Sequence, residues 1–322
     1  MAVPYPPIEP YQHGWLDVGD SQTLYWEQCG KSDGKPALVL HGGPGSGCTP
    51  FMRQLFDPTA YRIILVDQRG AGRSRPHASS PAADLAVNTT RHLINDLELL
   101  RLHVGVERWL LYGISWGSTL ALAYVETYPE RVSEIILAPV TAGRPSDAEW
   151  FTRGAGRFFP HEWEAFCQGV PESRRDGNLA AAYAELLDDP DPLVRERAAR
   201  NWIAWEEALV SVESGGVPNP RYDDPRFRMG FARLVTHYFS HAAWFGETEL
   251  LDGAHRLAGI PGVLIHGRLD IGGPLLTPWL LHKAWPGSEL IVVGDAGHTS
   301  AALAAHVIEA TDRFAAIGWS TG

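Results

Sequence analysis

The stretch Leu110-Leu111-Tyr112-Gly113-Ile114-Ser115-Trp116-Gly117-Ser118 carries a nucleophile in a setting that could make it reactive. An apolar run ends in Gly-x-Ser-x-Gly, and a helix-compatible run, Thr119 to Tyr128, follows directly. Ser115 is therefore expected on a sharp strand-to-helix turn, with Gly113 and Gly117 letting the two backbones approach closely. The pentapeptide alone would equally describe a glycine-flanked serine in an ordinary turn, so its partners decide. A serine hydroxyl needs a base to take its proton. Of the 13 histidines, His298 alone follows a final strand through a glycine-containing loop, Gly294-Asp295-Ala296-Gly297, that lets it reach Ser115. Asp270, just past the apolar run Gly262 to Gly267, is the carboxylate expected to orient that imidazole and stabilise its cation. Asp295 helps shape the His298 loop. The order Ser115, Asp270, His298 is one of the known chain orders of such a triad. Its chemistry is acyl transfer to water through an acyl-enzyme, and a serine rather than an aspartate at the turn argues against carboxylate-nucleophile reactions.

The tetrahedral oxyanion formed on the way needs two aimed N–H groups, each worth roughly 3 to 4 kcal/mol in comparable sites. Trp116, following the nucleophile, supplies one. The other is assigned to Gly43 in His41-Gly42-Gly43-Pro44-Gly45, which is too rich in glycine and proline to be helix or strand. That loop lacks the Gly-Lys-Ser/Thr ending of a phosphate-binding turn.

Positioning these groups takes a sheet. Gly14 to Val18 and Gln22 to Gln28 alternate around Gly19-Asp20 as a hairpin that should cover one sheet edge. Buried strands are expected at Ala37–Leu40, Arg62–Val66, Leu110–Tyr112, Ser133–Leu137, Gly262–Gly267 and Glu289–Val293, with helices near Leu93–Leu102, after Ser115 and at Ala301–Phe314. This alternation implies a parallel sheet covered on both faces. Asp67 and Arg69, in a turn at a strand end, read as turn-pinning charges rather than catalysts. From Thr141 to Leu251 strand-like runs give way to aromatic-rich helical stretches, so this segment is expected to form a helical cap over the site. The most loop-like stretch inside it is 211–224.

With 322 residues, 45% hydrophobic and 20% charged, the composition is that of a globular protein. A formal net charge of −11 with no compensating Lys/Arg run argues against nucleic acid or anionic membranes and favours a small-molecule or peptide substrate. No apolar run is long enough to cross a bilayer, and Met1 to Pro7 has no basic start or apolar core, so a cytoplasmic location is expected. Cys29, Cys48 and Cys167 are scattered and read as reduced thiols. No metal or other cofactor is expected.

At His41-Gly42-Gly43-Pro44-Gly45, Asp67-Gln68-Arg69-Gly70-x-Gly72-Arg73-Ser74-Arg75-Pro76-His77 and Gly113-x-Ser115-Trp116-Gly117-Ser118 the chain closely resembles the proline iminopeptidases of the α/β-hydrolase superfamily. The resemblance continues through Arg157-Phe158-Phe159-Pro160, His237-Tyr238-Phe239, His266-Gly267-Arg268-x-Asp270 and Gly297-His298. It implies an α/β-hydrolase fold, a mostly parallel sheet with helices on both faces and an inserted helical cap, with residues 1–140 and 252–322 as catalytic core and 141–251 as cap. It also implies a metal-free serine aminopeptidase that removes an N-terminal residue, preferably proline, from a small peptide. The substrate's cationic amine would meet the Gly45 carbonyl and Glu206, which matches a Trp-x-x-Trp-Glu pattern and lies beside the apolar face of Trp202, Trp205 and Leu209. Phe151, Phe239 and position 141 would form the ring pocket.

The chain departs from the family in three places. Val235 stands where a second amine-binding glutamate is expected, so a charge is lost or Glu247 or Glu249 supplies it. Thr141 replaces an aromatic residue, and Gly272 or Gly273 stands in place of a cysteine. An esterase or amidase acting on small neutral acyl compounds is the alternative, and a non-catalytic ligand binder on the same fold is a third reading.

Overall fold

The structure, a computed structural model, describes residues 2–212 and 218–317. Its centre is an eight-stranded sheet. The edge hairpin is β1 (Gln12–Asp17) and β2 (Thr23–Gly30), and β2 runs antiparallel to β4 (Tyr61–Val66). From β4 onward all pairings are parallel, through β3 (Lys35–Leu40), β5 (Trp109–Ser115), β6 (Val132–Val140), β7 (Gly262–Gly267) and β8 (Ser288–Val293). The order across the sheet is β1-β2-β4-β3-β5-β6-β7-β8. The apolar runs of β3 and β7 are buried along their whole length, as strands covered on both faces must be.

Two apolar cores lie on opposite faces. One packs α1 (Thr90–His103) and α2 (Trp116–Thr127) through Leu93, Leu97, Leu120 and Leu122. The other packs α10 (Ala301–Ala315) through Leu303, Val307, Ile308 and Phe314. The helix α9 (Leu276–Ala284), which the sequence pattern did not single out, joins the first core through Leu281. Its Pro278 sits in the first turn, where the missing N–H has no intrahelical partner to lose.

Between β6 and β7 the described elements are helical: α3 (Pro145–Thr152), α4 (Pro160–Gln168), α5 (Leu179–Leu187), α6 (Pro192–Val210), α7 (Pro225–Ser240) and α8 (Glu249–Gly253). Helix α6 starts at Asp191, whose carboxylate accepts the Leu193 N–H at 2.8 Å, and Pro192 opens its first turn. Its Trp202, Trp205 and Leu209 share a core with Phe151, Phe166, Phe231 and Val235, separate from the two cores on the sheet. Of the loop-like stretch 211–224, residues 213–217 lie outside the described residues.

Candidate active site

Ser115 ends β5 at φ 53° and ψ −119°, a backbone conformation that costs a non-glycine residue about 1 to 3 kcal/mol. The surroundings hold it there. A Cβ on Gly113 would lie 2.5 Å from the Gly117 carbonyl oxygen, and one on Gly117 would lie 2.0 Å from that of Leu40, so both positions require glycine. The Ser115 carbonyl accepts the Ser118 hydroxyl at 2.6 Å and the Thr141 hydroxyl at 2.8 Å. The side chain of Ser115 is thereby presented at the carboxyl end of the sheet.

Two loops at the same end bring the partners. His298 Nε2 is 3.0 Å from Ser115 Oγ, and its Nδ1 is 2.7 Å from Asp270 Oδ2. A carboxylate only accepts, so Nδ1 carries the proton and Nε2 is left to take one from serine. Asp270 is buried, which alone would raise its pKa, but the charge and hydrogen bond of His298 outweigh burial and hold it below its ordinary value. The Gly273 N–H donates to Asp270 Oδ1 at 2.8 Å. His266 braces this loop from behind. Its Nδ1 accepts the Val140 N–H at 3.1 Å, so Nε2 is protonated and donates to the Gly273 carbonyl at 2.7 Å. Asp295 is exposed, so Asp270 is the carboxylate that faces the imidazole.

The loop after β3 lies against the elbow: a Cβ on Gly42 would fall 3.2 Å from that of Ser115. Gln68 ties the two together, donating to the His41 carbonyl at 2.9 Å and accepting the Trp116 indole N–H at 2.8 Å. His41 Nε2 accepts the Gln68 backbone N–H at 3.0 Å, and burial keeps its ring neutral. Gly43 and Trp116 both line the cavity at Ser115, where a pair of oxyanion donors belongs. Asp67 and Arg69 hold structure together. Asp67 accepts the Cys48 N–H at 2.7 Å and pairs with Arg73 at 2.9 Å, and Arg69 grips Asp96 at 2.7 Å.

Two cavities meet at Ser115. The smaller, about 70 Å³, is lined by Thr141, Phe151, Phe239, Gly272 and Gly273, with the two phenyl rings edge to face at 5.3 Å. The larger, about 510 Å³, is lined by His298, Glu206, Glu207 and Arg221. Glu206 is buried rather than at a solvated rim. Its Oε2 accepts the Trp202 indole N–H at 3.1 Å, and burial pushes its carboxyl up to about 7 against that bond and the pull of His298. Val235 is fully buried in the cap core. Neither Glu247 nor Glu249 replaces the missing charge. Glu247 is taken by Ser146 and Arg144, Glu249 accepts the Gly246 N–H, and neither lines these cavities. Gly45 is packed against Leu234 and Phe231 of α7, and the larger cavity passes along Gly43 and Ser46 instead. Among the described residues no group of three His, Cys, Asp or Glu side chains is placed to hold a metal ion.

Residues 35–304 match the family model described as alpha/beta hydrolase fold. A probable proline iminopeptidase of Streptomyces coelicolor is 52% identical over 316 residues, covering 97% of each chain. A proline iminopeptidase of Xylella fastidiosa is 44% identical over 93% of this chain and 95% of its own. The chain belongs to the proline iminopeptidase family of α/β hydrolases. A relative in Arabidopsis thaliana, also called a proline iminopeptidase, is 41% identical over 97% of this chain and 82% of its own. Among solved structures, an esterase from a Rhodococcus species superposes at a TM-score of 0.61 over 94% of this chain and 98% of its own, with 17% identity, a likeness of fold alone. Three residues that shape the site in this family member, Gln68, His266 and Arg221, were not singled out in the sequence for a functional role. Gln68 and His266 lie inside the motifs quoted above, but their bonds to His41, Trp116 and Val140 join positions far apart along the chain, and Arg221 lies in no such motif.

Proposed function

We propose that this family member is a serine aminopeptidase that releases an N-terminal residue, preferably proline, from small peptides. Ser115 attacks the carbonyl carbon of that residue while His298 takes the hydroxyl proton, Asp270 steadies the imidazolium, and the N–H groups of Gly43 and Trp116 receive the oxyanion. His298 then gives its proton to the departing peptide amine as the C–N bond breaks, and a water activated by the same imidazole releases the acyl group. The single observation that carries the reading is the joining of Ser115, His298 and Asp270 at 3.0 and 2.7 Å in a chain whose relatives are proline iminopeptidases. The side chain of the first residue enters the smaller cavity between Phe151 and Phe239, and its amine faces Glu206. The Gly45 carbonyl, from a residue packed against Leu234 and Phe231 of α7, is the amine's second partner in this reading.

In the same proposal, residues 1–140 and 252–322 carry the chemistry and 141–251 the choice of substrate. No described helix is long and apolar enough to cross a membrane, and a cytoplasmic location fits that. The buried Val235 leaves Glu206 without the second amine-binding carboxylate and favours a second reading, an esterase or amidase acting on small neutral acyl groups. Initial rates on proline and alanine arylamides beside a simple acyl ester separate the two. Proline arylamide should be the best of the three, and preference for the ester would reverse the order of the readings. Fluorophosphonate labelling at Ser115 is expected under either, and its absence would leave a binding protein.

A further inference from the structure

Among the described residues, Arg221 is the one lysine or arginine that lines the large cavity at Ser115. It sits in a short turn, Pro220–Asp223, fixed by the Asn219 side chain, which accepts the Arg221 N–H at 3.0 Å. The Asn219 N–H in turn donates to Glu207 Oε1 at 2.8 Å, so Glu207 is occupied in holding the turn. The guanidinium lies 4.1 Å over the Phe227 ring and donates to the Ser46 carbonyl, in the loop that also holds Gly43. Among the described residues no carboxylate is within ion-pair distance of it. Asp67, a nearby carboxylate, is already paired with Arg73. A partly buried guanidinium has lost hydration without gaining a counterion, and its remaining N–H donors suit a bidentate carboxylate.

The direction of the reaction says which end of a substrate would meet it. His298 lines the large cavity and must protonate the leaving nitrogen, so the departing peptide lies in that cavity while the acyl group stays on Ser115. Glu206 takes the incoming ammonium, and the same cavity then offers one cation to the other end of the molecule.

We propose that Arg221 binds the C-terminal carboxylate of the substrate, making the site selective for peptides of two or three residues with a free C-terminus. The inference rests on the aminopeptidase reading above. It is tested by kcat/KM for the dipeptide Pro-Ala against its C-terminal amide, and for Pro-Ala, Pro-Ala-Ala and a hexapeptide of proline followed only by alanines, in the parent and in Arg221→Gln and Arg221→Lys. The parent should favour the free acid over the amide by roughly tenfold or more, the range of a charge-assisted hydrogen bond, and should lose rate on the hexapeptide. Arg221→Gln should bring the acid-to-amide ratio to about one through KM on the free acid, and Arg221→Lys should keep part of the preference. Because the ratio compares two substrates on one protein, general damage to the Ser46 loop divides out. An equal rate on acid and amide in the parent, or an unchanged ratio in Arg221→Gln, overturns the inference while leaving the aminopeptidase standing. A parent that cleaves no proline substrate removes both.

Discussion

The proposed pairing of the buried Glu206 with the substrate amine should make substrate choice depend on pH in a way the triad cannot imitate. Burial lifts its carboxyl from an ordinary 4.5 to about 7, yet only the carboxylate can pair with an ammonium. With that value, roughly a tenth of Glu206 is ionised at pH 6 and nine tenths at pH 8, so affinity for a free-amine substrate should rise about tenfold across that interval. Above about pH 8 the substrate's own amine loses its charge and the gain reverses. His298 serves every substrate alike and drops out of a ratio of substrates. The assay is therefore the ratio of kcat/KM for proline arylamide to that for an amine-free ester, followed from about pH 5.5 to 9. The parent ratio should be bell-shaped with its maximum between about pH 7 and 8. In Glu206→Gln it should be lower by roughly 10- to 100-fold at pH 7.5 and its acid limb should be flat. A ratio in the parent that ignores pH, or an acid limb that survives in Glu206→Gln, would refute the pairing.

The same carboxyl has a consequence for stability. The folded protein holds this proton above the pH at which the unfolded chain releases it, so stability falls as pH rises from about 4.5 to about 7, by at most about 3 kcal/mol. Glu206→Gln should accordingly melt higher than the parent at pH 8 and not at pH 4.

Four further outcomes follow from the geometry. Ser115→Ala should fold normally and lose hydrolysis by several powers of ten, and residual activity within about tenfold of the parent would remove Ser115 from the mechanism. Asp270→Asn should lower kcat by roughly 10⁴ because the amide stabilises the wrong imidazole tautomer, and a larger loss in Asp295→Asn would transfer the role. Gln68→Ala unties the His41 loop from the Trp116 indole and should lower kcat by up to about 10² with little change in the order of preference among esters; unchanged kcat would mean the elbow needs no such tie. Glu126, buried under α8 with Oε1 unpartnered and its carboxyl pushed up to about 8, loses stability as pH rises from 4.5 towards 8. Glu126→Gln should raise the melting temperature at pH 8 by roughly 2 °C or more relative to pH 5, and equal shifts at both would contradict the burial argument.

The residues proposed to react could be picked from the sequence because each follows an apolar strand run and has a glycine within two or three positions. Ser115, Asp270 and His298 needed only the rule that parallel sheets present such turns at one end. Glu206 was readable only as a position on a helix face, which gave its side of α6 but not its depth or its raised pKa. Those depend on Trp202 and on which cap helices close over it. Position 235 could be read as a missing charge, whereas its burial in the cap core, which makes it a packing residue here, follows from α7 lying against α5 and α6. Helix α9 escaped because Pro278 interrupts its pattern. His266 and Gln68 bond backbone atoms across the sheet, and no spacing in the chain marks such pairings.

Ser115, Asp270, His298 and Gly43 hang from loops at one end of the sheet, whereas Glu206, Phe151 and Phe239 ride on α6, α3 and α7, all admitted through the single gap between β6 and β7. If the cap chooses the substrate as proposed, bond breaking and menu are separable traits. A change on those helices can retune which molecules are taken while the bond-breaking apparatus is passed on untouched, and a descendant can drift in diet without ever passing through a dead enzyme.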